Sequence, residues 1–102
     1  MTYKKLEVLG QLLGCYFHQD WTDEFDSDAS ALQSIIESEP EEQLAAGVDE
    51  INDLLAASLS EDDLAAILTG QVGCYFDPGS EGITYEQWLK RVREKFILPR
   101  RV

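Results

Sequence analysis

The side-chain types of a thiol hydrolase lie close together near the N-terminal end of the chain. Cys15, His18 and Asp20 would supply a nucleophile, a base and an orienting carboxylate. In such enzymes these groups normally converge from distant segments, whereas here they are local neighbours. We expect the His18 imidazole to hydrogen-bond a carboxylate or a backbone carbonyl and to fix a turn. The residues therefore favour a protein that is not an enzyme.

Calcium and zinc ligands are also present, but their spacing does not fit a metal site. Counted from Asp26, a calcium loop would place its side-chain ligands at Asp26, Asp28, Ser30 and Glu37. Its sixth position, which needs glycine for a sharp turn, is Ala31, and a helix is predicted through the same stretch. Cys15, His18 and Cys74 could meet as zinc ligands only by tertiary coincidence. We predict no metal and no cofactor.

Positive and negative side chains are segregated along the sequence, which has a formal net charge of −12. No Lys or Arg lies between Leu6 and Leu89, although nineteen Asp and Glu residues do. The eight basic residues are confined to the two ends: Lys4, Lys5, Lys90, Arg91, Arg93, Lys95, Arg100 and Arg101. Such a field repels nucleic acid and anionic membranes, and it attracts and orients a basic protein. Plentiful apolar residues argue against a disordered acidic tail.

The length and composition are typical of a small folded domain. We expect residues 1–102 to form a single domain. No stretch approaches the roughly 20 apolar residues of a membrane helix, and the N-terminus lacks the pattern of a secretory signal. We therefore expect a cytoplasmic protein in which Cys15 and Cys74 are reduced.

Apolar residues recur at helical spacing, and no segment alternates for long enough to predict a strand. The predicted fold class is all-α, a single small bundle of about five helices. The first helix, about 3–16, is apolar over more than half of its circumference, so we place it at the centre of the fold. The second begins near Asp26, Ser27 or Asp28 and ends at Pro40.

Three further helices are predicted in the second half of the chain. The third spans about 40–57 and has apolar residues on one face and acids on the opposite face. Ser60 is a suitable N-cap for a short fourth helix, and 73–82 is expected to be a loop. Thr84 and Gln87 have the spacing of a capping box for the last helix.

One tetrapeptide occurs twice. Gly14-Cys15-Tyr16-Phe17 is repeated as Gly73-Cys74-Tyr75-Phe76. A duplicated unit of a helix and its exit would explain the repeat. Alternatively, each Tyr-Phe pair pins a helix exit into the core without common ancestry, which is the interpretation we favour.

Two groups of acids are candidate partner-binding residues. One group surrounds Trp21 and Phe25 and consists of Asp23, Glu24, Asp26 and Asp28. The other forms a stripe on the third helix and consists of Glu42, Asp49 and Asp53. Asp49 and Asp53 are one helical turn apart, which costs roughly 0.2–0.5 kcal/mol, and no basic residue on that helix offsets it. Mixed charge would serve solubility equally well. The one-sided choice therefore favours a basic partner.

Several of these segments resemble the immunity proteins of bacterial contact-dependent growth inhibition systems. The most specific is the first helix exit, Leu13-Gly14-Cys15-Tyr16-Phe17-His18-Gln19-Asp20-Trp21. Supporting segments are Gly82-Ile83-Thr84-Tyr85 before Trp88-Leu89, and Glu50-Ile51 with Leu54-Leu55. The resemblance spans nearly the whole length, but the second Gly-Cys-Tyr-Phe is not a feature of the family.

The resemblance implies a cytosolic protein that binds the toxic C-terminal domain delivered by a neighbouring cell. Such toxin domains are often nucleases with basic clefts. The resemblance also implies a structural role for the motif residues: Tyr16, Phe17, His18, Asp20, Trp21 and Trp88.

The leading hypothesis is therefore an immunity protein that covers the basic active site of its cognate toxin domain and binds neither nucleic acid nor membrane. An acidic nucleic-acid mimic that sequesters basic proteins is the alternative. An enzyme that uses Cys15 and His18 is a third hypothesis.

Overall fold

The computed structural model describes residues 6–97, and these form six α-helices and no strand. The helices are α1 (Glu7–Leu9), α2 (Trp21–Glu24), α3 (Asp28–Ser38), α4 (Glu41–Ala56), α5 (Glu61–Ala66) and α6 (Tyr85–Ile97). The all-α prediction is confirmed. The sequence predicted about five helices because the single turn of α2 is too short to show apolar periodicity. No described helix is long and apolar enough to cross a membrane.

Two of the predicted helices change their winding part of the way along. α1 continues as a first π-helical segment, Gly10–Gly14, and α5 continues as a second, Ile67–Val72. The wider π turn is uncommon and occurs mostly as single-turn insertions. The two segments approach each other at Gly14, where an added Cβ atom would lie 2.3 Å from the carbonyl oxygen of Val72. A glycine is therefore required at that position.

The first helical segment is deeply buried. Leu9, Leu12 and Leu13 are fully inaccessible, which agrees with the wide apolar arc in the sequence. α1 packs against α4, and α4 packs against α6. The predicted start near Tyr3 lies outside the described residues, and the position of this helix at the centre of the fold stays a prediction.

The helix starts that the sequence predicted are confirmed by their caps. The Ser27 hydroxyl accepts a hydrogen bond of 3.2 Å from the backbone N–H of Ser30 at the start of α3. The Ser60 hydroxyl caps α5 in the same way. At α6 the capping box is reciprocal: Thr84 N–H donates to Gln87 Oε1 at 2.9 Å, and Gln87 N–H donates to Thr84 Oγ1 at 3.1 Å.

Two other helix starts are capped by acids from distant parts of the chain. Glu50 on α4 accepts hydrogen bonds from the N–H groups of Val8 (3.3 Å) and Leu9 (2.9 Å) at the start of α1. Glu61 on α5 accepts from the first two N–H groups of α6, at 2.7 and 3.2 Å. A carboxylate at the positive end of a helix is stabilising. Part of the acidity of this chain therefore serves its own fold.

A cluster of aromatic rings joins the helix exits to α6. The Phe17 ring lies 5.2 Å from Trp21, 5.9 Å from Phe76 and 5.3 Å from Trp88, measured between ring centroids. Phe76 stacks on Trp88 at 4.6 Å. The phenylalanines of the two Gly-Cys-Tyr-Phe copies thus meet in one core, and each pins its helix exit there.

Candidate partner-binding site

The structure separates the seven predicted partner-binding acids into surface and core residues. Asp23 and Glu24 are exposed on α2, and Asp26 is exposed just after it. Glu42 and Asp49 are exposed on α4. Two acids differ from these five, since Asp53 is partly buried and Asp28 is buried.

Asp28 is a core residue, so the prediction that it belongs to the binding surface is wrong. Asp28 is only 4% exposed. Its Oδ2 accepts hydrogen bonds from Trp88 Nε1 at 2.8 Å and from Arg91 Nη1 at 3.0 Å. The sequence grouped it with its acidic neighbours along the chain. The missed signal is that a buried tryptophan N–H needs an acceptor.

Cations of the last helix neutralise some acids within the molecule. Arg91 bridges Asp28 and Glu81, at 3.0 and 3.1 Å. Its hydrogen bond with Glu81, and then that with Asp28, raises the pKa of Arg91 above its ordinary value. Lys90 pairs with Glu86 on the same helix at 3.2 Å, and Arg93 donates to the Asn52 amide oxygen at 2.8 Å.

His18 holds the turn that leaves the first helical segment, as the sequence predicted. Its Nδ1 accepts a hydrogen bond from Asp20 N–H at 3.1 Å, and its Nε2 lies 3.2 Å from Glu24 Oε2. Because Nδ1 accepts, the proton of the neutral ring is on Nε2 and is donated to Glu24. The contact from Asp20 is made by its backbone. Both ring nitrogens therefore hold the turn rather than activating Cys15.

The two cysteines have different surroundings. Cys15 is an exposed free thiol and Cys74 is a buried one. Burial raises the pKa of the Cys74 thiol to about 12, which suppresses the reactive thiolate. No group of three or more His, Cys, Asp and Glu side chains within residues 6–97 has the arrangement of a metal site.

Tyr16 belongs to the structural part of the first motif. Its hydroxyl donates a hydrogen bond of 3.0 Å to Glu39 Oε2, which ties the first helix exit to the end of α3. Its ring lies 6.4 Å from that of Phe25. Burial is the main cause that raises the pKa of Tyr16.

Tyr75 is a surface residue, so the prediction that the second Tyr-Phe pair as a whole pins a helix exit into the core is wrong for its tyrosine. It is 50% exposed, and Tyr75 and Ile97 are the large apolar residues that stand exposed in the described part of the chain. Its neighbours Cys74 and Phe76 are buried, at 0% and 3% exposure. The alternation of side chains in extended backbone could have indicated an outward tyrosine, but the sequence predicts a loop over 73–82, for which no side-chain direction follows.

A shallow cavity of about 280 Å³ lies where the end of α4 meets α5 and the start of α6. It is lined by Leu54, Leu55, Ser58, Leu59, Leu64 and Glu86. Although four leucines line it, most of its accessible surface is polar, and its lining contains none of the seven predicted acids.

Comparison with known proteins identifies the family. The sequence model of the CdiI immunity protein family matches residues 5–96. A chain in the crystal structure of a CdiA-CT/CdiI complex from Y. kristensenii 33638 superposes with a TM-score of 0.84 and 32% sequence identity. The match covers 91% of this chain and 99% of that one. No curated protein matches. The resemblance found in the sequence is therefore confirmed, and this chain belongs to the CdiI immunity protein family.

Proposed function

We propose that this protein binds the C-terminal toxin domain of its cognate CdiA protein and neutralises it by contact rather than by catalysis. It would do so in the cytosol of the cell that makes it. Membership of the CdiI immunity protein family supports this proposal. Further support comes from the CdiA-CT/CdiI complex that contains a structural neighbour of the chain.

The observation that carries the proposal is the set of acids left on the surface. Asp23, Asp26, Glu42 and Asp49 are exposed, and no residue within 6–97 pairs with their carboxylates. Other acids show what the fold itself requires, since Asp28 accepts from Trp88 and Glu50 caps α1. The four exposed acids neither cap a helix nor accept a hydrogen bond from the core. We therefore assign them, with Glu24 and Asp53, to the contact with a basic partner.

We further propose that the toxin is a nuclease whose active site is basic. Carboxylates on α2 and α4 would lie near the positions where the phosphates of its substrate bind. Complementary charge steers association, which should reach about 10⁸ M⁻¹s⁻¹ at low salt and fall steeply as salt rises. The partner would be released slowly only if uncharged contacts also form at the centre of the interface.

Co-expression with the toxin domain encoded beside this chain tests the proposal. The two proteins should purify together at physiological salt, and the toxin should lose its activity in the complex. If no complex forms, the proposed function is wrong.

Stopped-flow association tests the contribution of charge. The double variant Glu42→Gln/Asp49→Asn should associate about tenfold more slowly than the wild type at low salt. The control Asp62→Asn/Glu94→Gln removes the same number of exposed charges elsewhere and should change the rate less than threefold. Equal effects of the two variants would mean that only net charge matters.

The alternative, an acidic nucleic-acid mimic, predicts a different specificity. A mimic would bind several unrelated basic proteins, whereas an immunity protein should bind one toxin tightly. Adding noncognate basic proteins to the complex with the toxin domain separates the two hypotheses. Only a mimic would be drawn away from the toxin domain by these competitors.

A further inference from the structure

The backbone of the segment that carries Tyr75 is hydrogen-bonded to two other parts of the fold. Cys74 N–H donates a hydrogen bond of 2.8 Å to the carbonyl oxygen of Leu68, and Tyr75 N–H donates one of 2.7 Å to that of Phe17. These bonds join it to the second π-helical segment and to the first helix exit. The backbone at Tyr75 is thus hydrogen-bonded to two neighbouring parts of the fold in the free protein.

The side chains of this segment alternate between the core and the solvent. Cys74, Phe76 and Pro78 are buried, and Tyr75 and Asp77 are exposed between them. The buried residues anchor the segment while the tyrosine ring stands half in solvent. An exposed aromatic on a fixed backbone loses little conformational freedom on binding.

The two copies of the repeated tetrapeptide use their tyrosines differently. Tyr16 is partly buried, and its hydroxyl bonds to Glu39. Tyr75 is exposed, and within the described range no residue bonds to its hydroxyl. The fold therefore accounts for the first tyrosine but not for the second.

We infer that Tyr75 is the aromatic anchor of the toxin-binding surface and that its ring receives an arginine or lysine side chain of the toxin. This inference rests on the proposed function. Tyrosine is enriched among the residues that dominate interface energetics, and its ring face attracts a cation. Asp77, two residues away, is also exposed, and one oxygen of its carboxylate accepts a hydrogen bond of 3.0 Å from Gly79 N–H.

The location of the anchor also fits the acids of α2. The Phe76 ring lies 5.7 Å from the ring of Trp21, the first residue of α2, which carries Asp23 and Glu24. The Phe76 ring is buried and does not itself place Tyr75 near these acids. However, the Tyr75 N–H bonds to the carbonyl oxygen of Phe17. The next residue, His18, contacts Glu24 on α2 at 3.2 Å. An anchor beside charges that steer the encounter would hold the complex once it has formed.

Titration of the cognate toxin domain with Tyr75 variants tests the inference. At physiological salt, Tyr75→Ala should weaken binding by about tenfold or more, mainly through faster dissociation. Tyr75→Phe keeps the ring and should stay within about threefold of the wild type, whereas Tyr75→Leu should resemble Tyr75→Ala. The control Ile97→Ala removes the other exposed large apolar side chain and should change the Kd less than twofold.

Each outcome is decisive when the wild type binds. Unchanged affinity of Tyr75→Ala overturns the inference while leaving the proposed function in place. Wild-type affinity of Tyr75→Leu overturns the cation contact. If the wild type does not bind the toxin domain, the proposed function fails instead.

Chemical protection gives a second test that needs no variant. Tetranitromethane should nitrate Tyr75 in the free protein, and the toxin domain should protect it, as read by peptide mass mapping. Equal nitration of Tyr75 in the free and bound protein would overturn the inference.

Discussion

Trp88 Nε1 donates a hydrogen bond of 2.8 Å to Asp28 Oδ2, which lies 60 positions away in sequence. Both residues are buried. The bond joins the start of α3 to α6. Arg91, one turn after Trp88, contacts the same carboxylate oxygen. An acid that the charge pattern assigned to a partner is thus a link within the core.

Loss of this link should destabilise the protein. Asp28→Ala leaves the buried Trp88 N–H without its acceptor and Arg91 without one carboxylate, which should lower the free energy of unfolding by roughly 3 kcal/mol. Asp28→Asn keeps an acceptor oxygen and should cost less. Urea unfolding measures both. The exposed Asp26→Ala is the control and should lie within about 0.5 kcal/mol of the wild type; similar losses at the two positions would refute the core role of Asp28.

The close approach of the two π-helical segments predicts a glycine requirement. In Gly14→Ala the new methyl would lie 2.3 Å from the Val72 carbonyl oxygen, so a backbone must shift. We expect a loss of about 2 kcal/mol or more in thermal unfolding. Gly70→Ala is the matched control, because no atom lies within 4 Å of a Cβ there. It should be neutral or stabilising, and an equal loss at Gly70 would contradict the contact.

The cap that Glu50 provides can be tested against its neighbour. Glu50→Ala leaves the N–H groups of Val8 and Leu9 without their carboxylate and should cost about 1 kcal/mol of the free energy of unfolding. Asp49→Ala removes the same charge from the exposed face of α4. It should be neutral or slightly stabilising, because it relieves repulsion with Asp53. Chemical denaturation should therefore separate the two variants, and coincident curves would rule out a capping role.

The buried thiol of Cys74 predicts a loss of stability in alkali. The unfolded chain releases this proton near pH 9, whereas burial raises the pKa of the folded thiol to about 12. Between these values the unfolded state binds fewer protons, so stability falls as pH rises, whereas below pH 9 the contribution is fully present. Titration of one such group adds at most about 1.4 kcal/mol per pH unit to the decline in the free energy of unfolding.

Two cysteine variants isolate this effect from the other alkaline titrations. In urea unfolding between about pH 8 and pH 11, Cys74→Ala should show a shallower decline than the wild type. Cys15→Ala, which removes an exposed thiol, should keep the wild-type slope. If the two slopes are the same, the raised pKa of Cys74 is not what drives the loss.

Local patterns predicted much of the fold. The caps at Ser27, Ser60 and Thr84 are formed by residues within three positions of each other, so their spacing is visible in sequence. His18 was also assigned correctly to a turn, because its partners lie within six residues. The π-helical segments were missed, since helical periodicity does not report a change from four to five residues between bonded groups.

The sequence by itself determined the all-helical class, the helix starts, the family and the one-sided charge, because each depends on composition or on residues close together in the chain. Only the tertiary structure decided which acids serve the fold and which face the solvent. Asp28 and Glu50 serve the fold because they accept hydrogen bonds from residues 60 and 41 positions away in sequence. The same holds for the repeated tetrapeptide, in which Tyr16 bonds to Glu39 and Tyr75 faces outward. Identical residues diverge there because packing against distant helices, and not local sequence, sets what each side chain contacts.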